Sequence, residues 1–462
     1  MTSENQKDKN KKKDLFDKYD KIKPENSLDN LNNNNKSKHI FDESGNKNNF
    51  SKSGTCGNKE KNKESGSPDN KTEIQSKKKN SEDENNNFFD QNLSEILPVG
   101  LKNLGSSCFM NACLQCFFHC SSFIKELLRN HKKYEQTKGD ITSAFLLVSK
   151  NLYKNGKFSN NKKYNYNKVK YYIDKYNYYT YFENETNPTS ACDFFNYILT
   201  NYANAYNHGS DPKIVAELIL SKMANEIGPE ITYTPPKNIR KTDEISFFLD
   251  IYNYFDSLKE NIIVSNFYWI REKECICSEC NKSTFNFQLN YIHYFYPEVI
   301  LNRFSSGYYK KYNLCIETCF KYFTKSDQDM TSFACKVCNK RVKPKSILNY
   351  MVTLPKYLIF CLFVDKNVVD PINYRFDYGK DIDLKYYFKY IEGNNKTCTL
   401  YKFQSGCYST WNSIHSLAFS YHFDGNLYEF NDSYYKQISD FKELYKENPY
   451  LLFYRRADID LC

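Results

Sequence analysis

Cys108 heads a short apolar segment, Cys108-Phe109-Met110-Asn111-Ala112-Cys113-Leu114-Gln115-Cys116-Phe117, just after a turn that carries Asn103 and Gly105. Leu114, Phe117 and Phe118 recur at helical spacing, which predicts the cysteine at the first turn of a helix. The macrodipole and the unshared N–H groups of a helix start favour a thiolate, the form of cysteine that attacks carbonyls. Such a nucleophile needs a base, and a group to orient the base, from distant parts of the chain. Residues 413–433 offer both. Alternation around Leu417, Phe419 and Tyr421 predicts a strand, Asp424-Gly425-Asn426 a hairpin turn, and residues 427–430 the returning strand. The hairpin would bring His415 close to Asn431 or Asp432, while His422 reads as structural. The plainer reading of Cys108 is one buried cysteine among 17.

A second constellation consists of two Cys-x-x-Cys knuckles, Cys277-Ser278-Glu279-Cys280 and Cys335-Lys336-Val337-Cys338, each followed by Asn-Lys. Two thiolates on a tight turn grip one edge of a tetrahedral zinc, and two such turns close the site with four sulfurs and no open position. The predicted metal is therefore structural. The gap between the knuckles, roughly fifty residues, is longer than in a compact ribbon and needs two hairpins folded back on each other. Cys275 is a spare beside the first knuckle. Cys315 and Cys319 fall on one face of a helix predicted over 313–323, and Cys113, Cys116 and Cys120 read as core.

Residues 100–115 resemble the cysteine box of the ubiquitin-specific proteases, Gly-Leu-x-Asn-x-Gly-x-x-Cys-[Tyr/Phe]-Met-Asn-x-x-Leu-Gln. Residues 413–433 resemble that family's histidine box, including its Phe-Asn-Asp-Ser ending, and 450–456 resemble its closing strand. The resemblance covers about residues 97–456. It implies a papain-like cysteine peptidase with a helical thumb, a β-rich palm and zinc-ribbon fingers at about 262–350. It also implies Cys108 as nucleophile, His415 as general base, Asn431 as the orienting member with Asp432 beside it, and Asn103 as oxyanion donor. Residues 188–199 resemble the box whose acids hold arginines of the ubiquitin tail. Asp193 keeps one acid there, and Ser190 replaces the other.

The implied activity is thiol-dependent hydrolysis after the terminal glycine of ubiquitin, with ubiquitin and ubiquitinated proteins as partners, a structural zinc and no organic cofactor. Two departures support an alternative, a weak or inactive ubiquitin-binding scaffold in a larger complex. Ser413-Ile414 stands where the family has Gly-Gly, so Ile414 could narrow the tail groove. The family's Leu-Lys-Arg-Phe run is replaced by Leu362-Phe363-Val364-Asp365.

The elements that must position these residues follow an uneven division of the chain. Residues 1–93 are Asn, Lys, Ser, Asp and Glu with scarcely any aliphatic side chain, a composition that predicts disorder. Helical patterns are predicted over 109–128, 142–153, 191–206 and 211–227, with a Tyr/Asn/Lys-rich insertion at 155–187. After Ile245 short Tyr/Phe/Ile/Val runs predict strands, so the fold class is α+β. The longest apolar run, 357–364, is too short to span a bilayer and reads as a buried strand. No secretory signal opens the chain, and 17 cysteines then predict reduced thiols in the cytoplasm or nucleus. The net charge of +10 is spread over lysines interleaved with acids, which argues against a nucleic-acid footprint.

Overall fold

The computed structural model describes residues 97–101, 103, 107–137, 139–152, 212–235, 243–297, 300, 313–324, 332–362, 375–389, 398–409, 415–446 and 449–459. All lie in the unit Ser76–Cys462. The readings for 1–93, 155–187, 188–199 (with Ser190 and Asp193) and 191–206 fall outside the described residues, as do Ser413 and Ile414.

The segment predicted as one helix forms two, α1 (Cys108–Phe118) and α2 (Ser121–Arg129). His119 Nδ1 turns back onto the Gln115 carbonyl (2.6 Å), and Gln404 Nε2 donates to the His119 carbonyl (2.9 Å). Gln404 thus satisfies a carbonyl left open where the helical ladder breaks. Then come α3 (His131–Glu135), α4 (Asp140–Leu152) and α5 (Pro212–Glu217), which passes through a π-helical turn (Leu218–Met223) into α6 (Ala224–Ile227).

The expectation of strands after Ile245 is corrected by α7 (Glu244–Ser257) and α8 (Ile262–Phe267). Aromatic and β-branched residues suggested strand, but Phe247, Phe248, Ile251 and Phe255 fall on one helical face and are buried. Asp243 caps α7 by accepting from the Ser246 N–H, and Asn261 caps α8 by accepting from the N–H groups of Ile263 and Val264.

Strands follow: β1 (Trp269–Cys277), β2 (Ser283–Asn290), β3 (His293–Phe295) and β4 (Asn313–Cys315). After helix α9 (Ile316–Thr324) come β5 (Phe333–Ala334), β6 (Arg341–Val342), β7 (Pro344–Met351), β8 (Tyr357–Leu362), β9 (Arg375–Asp377) and β10 (Asp381–Asp383). The last are β11 (Leu400–Ser409), β12 (Ser416–Tyr421), β13 (Leu427–Asn431), β14 (Tyr434–Ile438) and β15 (Pro449–Arg456). The helix predicted over 313–323 is also corrected. Its first residues pair as β4 with β9, so Cys315 ends a strand while Cys319 is buried in α9.

The main sheet runs β14-β13-β12-β11-β15-β8-β3, with β10 added against β11. Both of its faces are covered. Tyr357, Ile359 and Cys361 of β8 join the core under α1, while Leu358, Phe360 and Leu362 join a second core on the far side. This is why β8 reads as an unbroken apolar run. Helix α1, buried on nearly all sides, lies against β11 and β12. A separate sheet, β2-β1-β7, carries the first knuckle at the turn between β1 and β2, and the second knuckle sits in the two-stranded β5–β6 hairpin. Near the other end of the β2-β1-β7 sheet Lys389 bridges Glu244 of α7 and Glu272 of β1, both at 2.6 Å. Burial pushes Glu272 up to about 7 despite that lysine. The mixed helix-and-sheet class expected from the sequence is the one observed. Among the described residues no helix is long and apolar enough to cross a membrane.

His293 carries a stability prediction. It is buried among Trp269, Phe295, Phe320, Phe323 and Phe360, and its Nε2 has no hydrogen-bond partner. Burial, aided by Arg271, lowers its pKa from 6.5 to about 3. Between those values the unfolded chain takes up a proton that the folded chain refuses, so folding weakens as pH falls. His293→Phe should cut the pH slope of unfolding free energy between about pH 6.5 and 5 by up to ~1.4 kcal/mol per pH unit. Urea unfolding across that range reads it, and an unchanged slope would refute it.

Candidate active site

Cys108 is the first residue of α1 and is only 4% exposed. The Ser107 carbonyl accepts from the N–H groups of Met110 (3.1 Å) and Asn111 (3.0 Å), which makes Ser107 the cap residue. The Cys108 N–H therefore belongs to the first turn, where no intrahelical acceptor exists. The incoming loop is held by Asn103, whose Oδ1 accepts from Ser107 N (3.2 Å) and Oγ (3.3 Å).

The helix also holds the strand that leads into it. Asn111 and Gln115, four residues apart, share a face. Gln115 Nε2 donates to the Val99 carbonyl (2.8 Å) and Asn111 Nδ2 to the Leu101 carbonyl (3.2 Å). Between these anchors only glycine fits at position 100. A Cβ there would meet the Ser433 carbonyl carbon at 2.4 Å and the Asp432 carbonyl oxygen at 2.5 Å.

The expected hairpin is present as β12 and β13, with Gly425 (φ +82) at its tip. His415 immediately precedes β12, and Asn431 ends β13. Asn431 Oδ1 lies 2.7 Å from His415 Nε2. A carbonyl oxygen only accepts, so this contact assigns the hydrogen to Nε2 and basicity to Nδ1.

Asp432, the next residue, faces a different set of partners. Its backbone is left-handed (φ +51), a conformation Asp tolerates better than most residues. Its carboxylate accepts from Asn103 Nδ2 (2.9 Å) and Asn111 Nδ2 (2.8 Å), and its carbonyl from the Leu101 N–H (2.8 Å). Two adjacent residues thus hold the two halves of the site. Asn431 takes the imidazole, and Asp432 takes the cysteine loop and the start of α1.

Behind this centre His119 Nε2 lies 3.1 Å from His422 Nδ1, tying the end of α1 to the end of β12. His119 Nδ1 donates to Gln115, so Nε2 accepts from the His422 Nδ1–H. Burial, and then His422, lowers His119 to about 3. The structural role expected for His422 matches this position. Cys113, Cys116 and Cys120 are fully buried, and burial raises Cys116 to about 12.

The four knuckle cysteines converge, with all four sulfurs within 4.8 Å of one another. Cys277 Sγ is 3.8 Å from Cys338 Sγ, and Cys280 Sγ is 3.7 Å from Cys335 Sγ. Those lengths are far too long for disulfides. They match the ~3.8 Å edge of a tetrahedron of sulfurs ~2.3 Å from a central ion. Each knuckle turns through a left-handed asparagine, Asn281 (φ +55) and Asn339 (φ +57). Burial raises the Cys335 thiol, but the N–H groups of Cys338 and Val337 and the neighbouring thiols outweigh it and bring the thiol down to about 6. The donor set fits a metal ion.

The sequence profile described as ubiquitin carboxyl-terminal hydrolase matches residues 99–454. The chain belongs to the ubiquitin carboxyl-terminal hydrolase family. In fold, this hydrolase-family chain is similar to the SAGA DUB module of Ubp8, Sgf11, Sus1 and Sgf73 bound to monoubiquitin (TM-score 0.51, 17% identity, 80% of this chain and 71% of that one). It is similar to the same module bound to ubiquitin aldehyde (TM-score 0.52, 17% identity, 80% and 71%). It also resembles a yeast SAGA module carrying a mutant Sgf73 (TM-score 0.51, 16% identity, 80% and 70%). No curated protein sequence matches the chain.

Reading of the sequence for this hydrolase's site missed Asn111 and Gln115 as anchors. The available signal was two amides at i and i+4 in an otherwise apolar helix, because a buried amide must find partners. The division between Asn431 and Asp432 is testable by stability alone. Asp432→Ala removes two charge-assisted bonds and should cost about 3–6 kcal/mol. Asn431→Ala removes one contact at the rim and should cost about 1 kcal/mol or less. Denaturant unfolding that ranks the two equally would contradict this division.

Proposed function

We infer that the protein is a thiol-dependent deubiquitinase that cleaves the bond between the terminal glycine of ubiquitin and an amine. The observation that carries this reading is the 2.7 Å pairing of His415 with Asn431, whose neighbour Asp432 binds the loop that delivers Cys108. Base and nucleophile hang from one hairpin end. Family membership and likeness to a module captured with ubiquitin aldehyde support it.

In this mechanism His415 Nδ1 takes the Cys108 proton and the thiolate adds to the glycine carbonyl. Asn103 Nδ2 and the Cys108 N–H receive the oxyanion, and Asp432 sets the direction of the Asn103 amide. As the tetrahedral intermediate collapses, His415 gives the proton to the departing amine, leaving a thioester. Water, deprotonated by His415, then releases the ubiquitin carboxylate and restores the thiol. Asn431 keeps Nε2 protonated and Nδ1 in line throughout. Asp193 remains the proposed partner of an arginine in the ubiquitin tail, with Ser190 in place of a second acid and Ile414 beside the groove.

Residues 97–456 form the proposed catalytic unit, with the β2-β1-β7 sheet as its fingers at about 262–350. Cys277, Cys280, Cys335 and Cys338 would hold a zinc whose contribution is to fold the fingertips, not to enter the reaction. The described cysteines form no disulfide, which fits a reducing compartment inside the cell.

Steady-state hydrolysis of ubiquitin linked to an aminocoumarin tests the triad. Cys108→Ala and His415→Ala should each abolish turnover, because such groups act as a unit. Asn103→Ala should lower kcat about a hundredfold. A wild-type chain that binds ubiquitin without turnover would favour the scaffold reading that the Ser413-Ile414 substitution suggests. Full turnover by Cys108→Ala would end the proposal.

Metal analysis tests the fingertips. About one zinc per chain is expected, and Cys335→Ser should lose it together with ubiquitin affinity. Purified protein without zinc at neutral pH would overturn that assignment.

A further inference from the structure

Among the described residues the main sheet ends at β14, whose backbone pairs with β13 alone, over the register Asn431↔Tyr434 to Leu427↔Ile438. The connection is a two-residue loop, so Asn431 and Tyr434 form the hydrogen-bonded closing pair. Inward and outward groups then alternate, and the N–H and C=O of Tyr435 and Gln437 face away from the sheet.

Natural edges are blunted by proline, bulges or charged side chains, lysine especially. Strand β14 has no proline and no register shift, and its one lysine, Lys436, is paired with Glu429 at 2.9 Å. Residues 434–437 are all exposed, with Tyr434 at 60% and Tyr435 at 40%. Leu97, also exposed, leads into the 99–101 segment that runs against Asp432 and Ser433. Two exposed tyrosines, one on each face of an edge that no described strand pairs, thus stand beside the hairpin end that holds Asn431 and Asp432.

Its position relative to the chemistry is specific. Tyr434 is the cross-strand partner of Asn431, and such partners have Cβ atoms about 4.5–5.5 Å apart. Asn431 in turn holds His415. The amine that receives its proton from His415 belongs to the protein from which ubiquitin is being removed. That protein's backbone lies one lysine side chain from the imidazole, a distance that puts the β14 edge within its reach.

We propose that β14 is a docking edge for the acceptor protein. An extended segment next to the modified lysine adds as a further strand along Tyr435 and Gln437, with Tyr434 and Tyr435 gripping its side chains. This rests on the deubiquitinase reading and adds the half of the substrate that is not ubiquitin. It follows that a lysine in an extended or unstructured segment is a better site than one within a helix.

The test uses the full chain and two substrates, ubiquitin on aminocoumarin and ubiquitin joined through an isopeptide bond to a lysine in an unstructured peptide. The variants are Tyr434→Ser with Tyr435→Ser, and Gln437→Pro, which deletes an outward N–H. Each should lower kcat/KM for the peptide conjugate about tenfold or more, while the coumarin substrate stays within about twofold. Equal loss on both substrates, or no loss on the peptide, overturns the docking edge while leaving the deubiquitinase reading intact. A wild-type chain inert towards the coumarin substrate removes that reading and the edge with it. Sedimentation showing a dimer that the tyrosine variants disperse would assign the edge to a second copy of this chain, and would also overturn the proposal.

Discussion

One carboxylate at one turn organises the part of this protein that holds Cys108 and His415. Asp432 sits in a left-handed conformation at the end of β13, and from there its two oxygens and its carbonyl reach Asn103, Asn111 and Leu101. Those residues lie more than three hundred positions away in the sequence. Charge-assisted bonds of this kind are worth roughly 1.5–3 kcal/mol each, enough to fix a loop with little apolar anchoring. Gly100 makes the approach possible by carrying no Cβ where two backbones meet. The chain reversal that aims Asp432 at the cysteine loop also leaves Asn431 facing His415.

Such a knot holds geometry only if its supports are rigid. Helix α1 is buried almost all round, and the sheet beneath it is packed on both faces. At the far end of α1 the His119–His422 pair and the Gln404 amide tie the helix to the sheet again. The helix is thus pinned at both ends, and its first residue is the thiol. The four-cysteine cluster lies outside the main sheet, on the β1–β2 and β5–β6 turns, so a zinc held there would shape substrate binding without entering the chemistry.

How much of this was legible in the sequence depended on the range of the interaction. The His415 hairpin, the buried β8 and the paired knuckles all announce themselves by local spacing, and the structure has them where the spacing put them. Helix α7 was not legible. Its Ile, Phe and Tyr residues favour strands by composition, and only the Asp243 cap and the spacing of Phe247, Ile251 and Phe255 betray a helix. The break at His119 was hidden for another reason, because the residue that takes up its carbonyl, Gln404, is 285 residues away. Asp432 was legible as a neighbour of the orienting residue, yet its partners were not, since nothing local says which way a carboxylate at a turn will point. Tyr434 became informative only once the register set it opposite Asn431.

The central claim is that Cys108 is a competent nucleophile in a groove that receives the ubiquitin tail. The most direct measurement is to incubate the protein with ubiquitin bearing a carboxyl-terminal electrophile and to map the adduct by peptide mass spectrometry. The account predicts one ubiquitin per chain, attached at Cys108, with capture slowed in Asn431→Ala. An adduct at any other cysteine, or none while ubiquitin still binds, would contradict it.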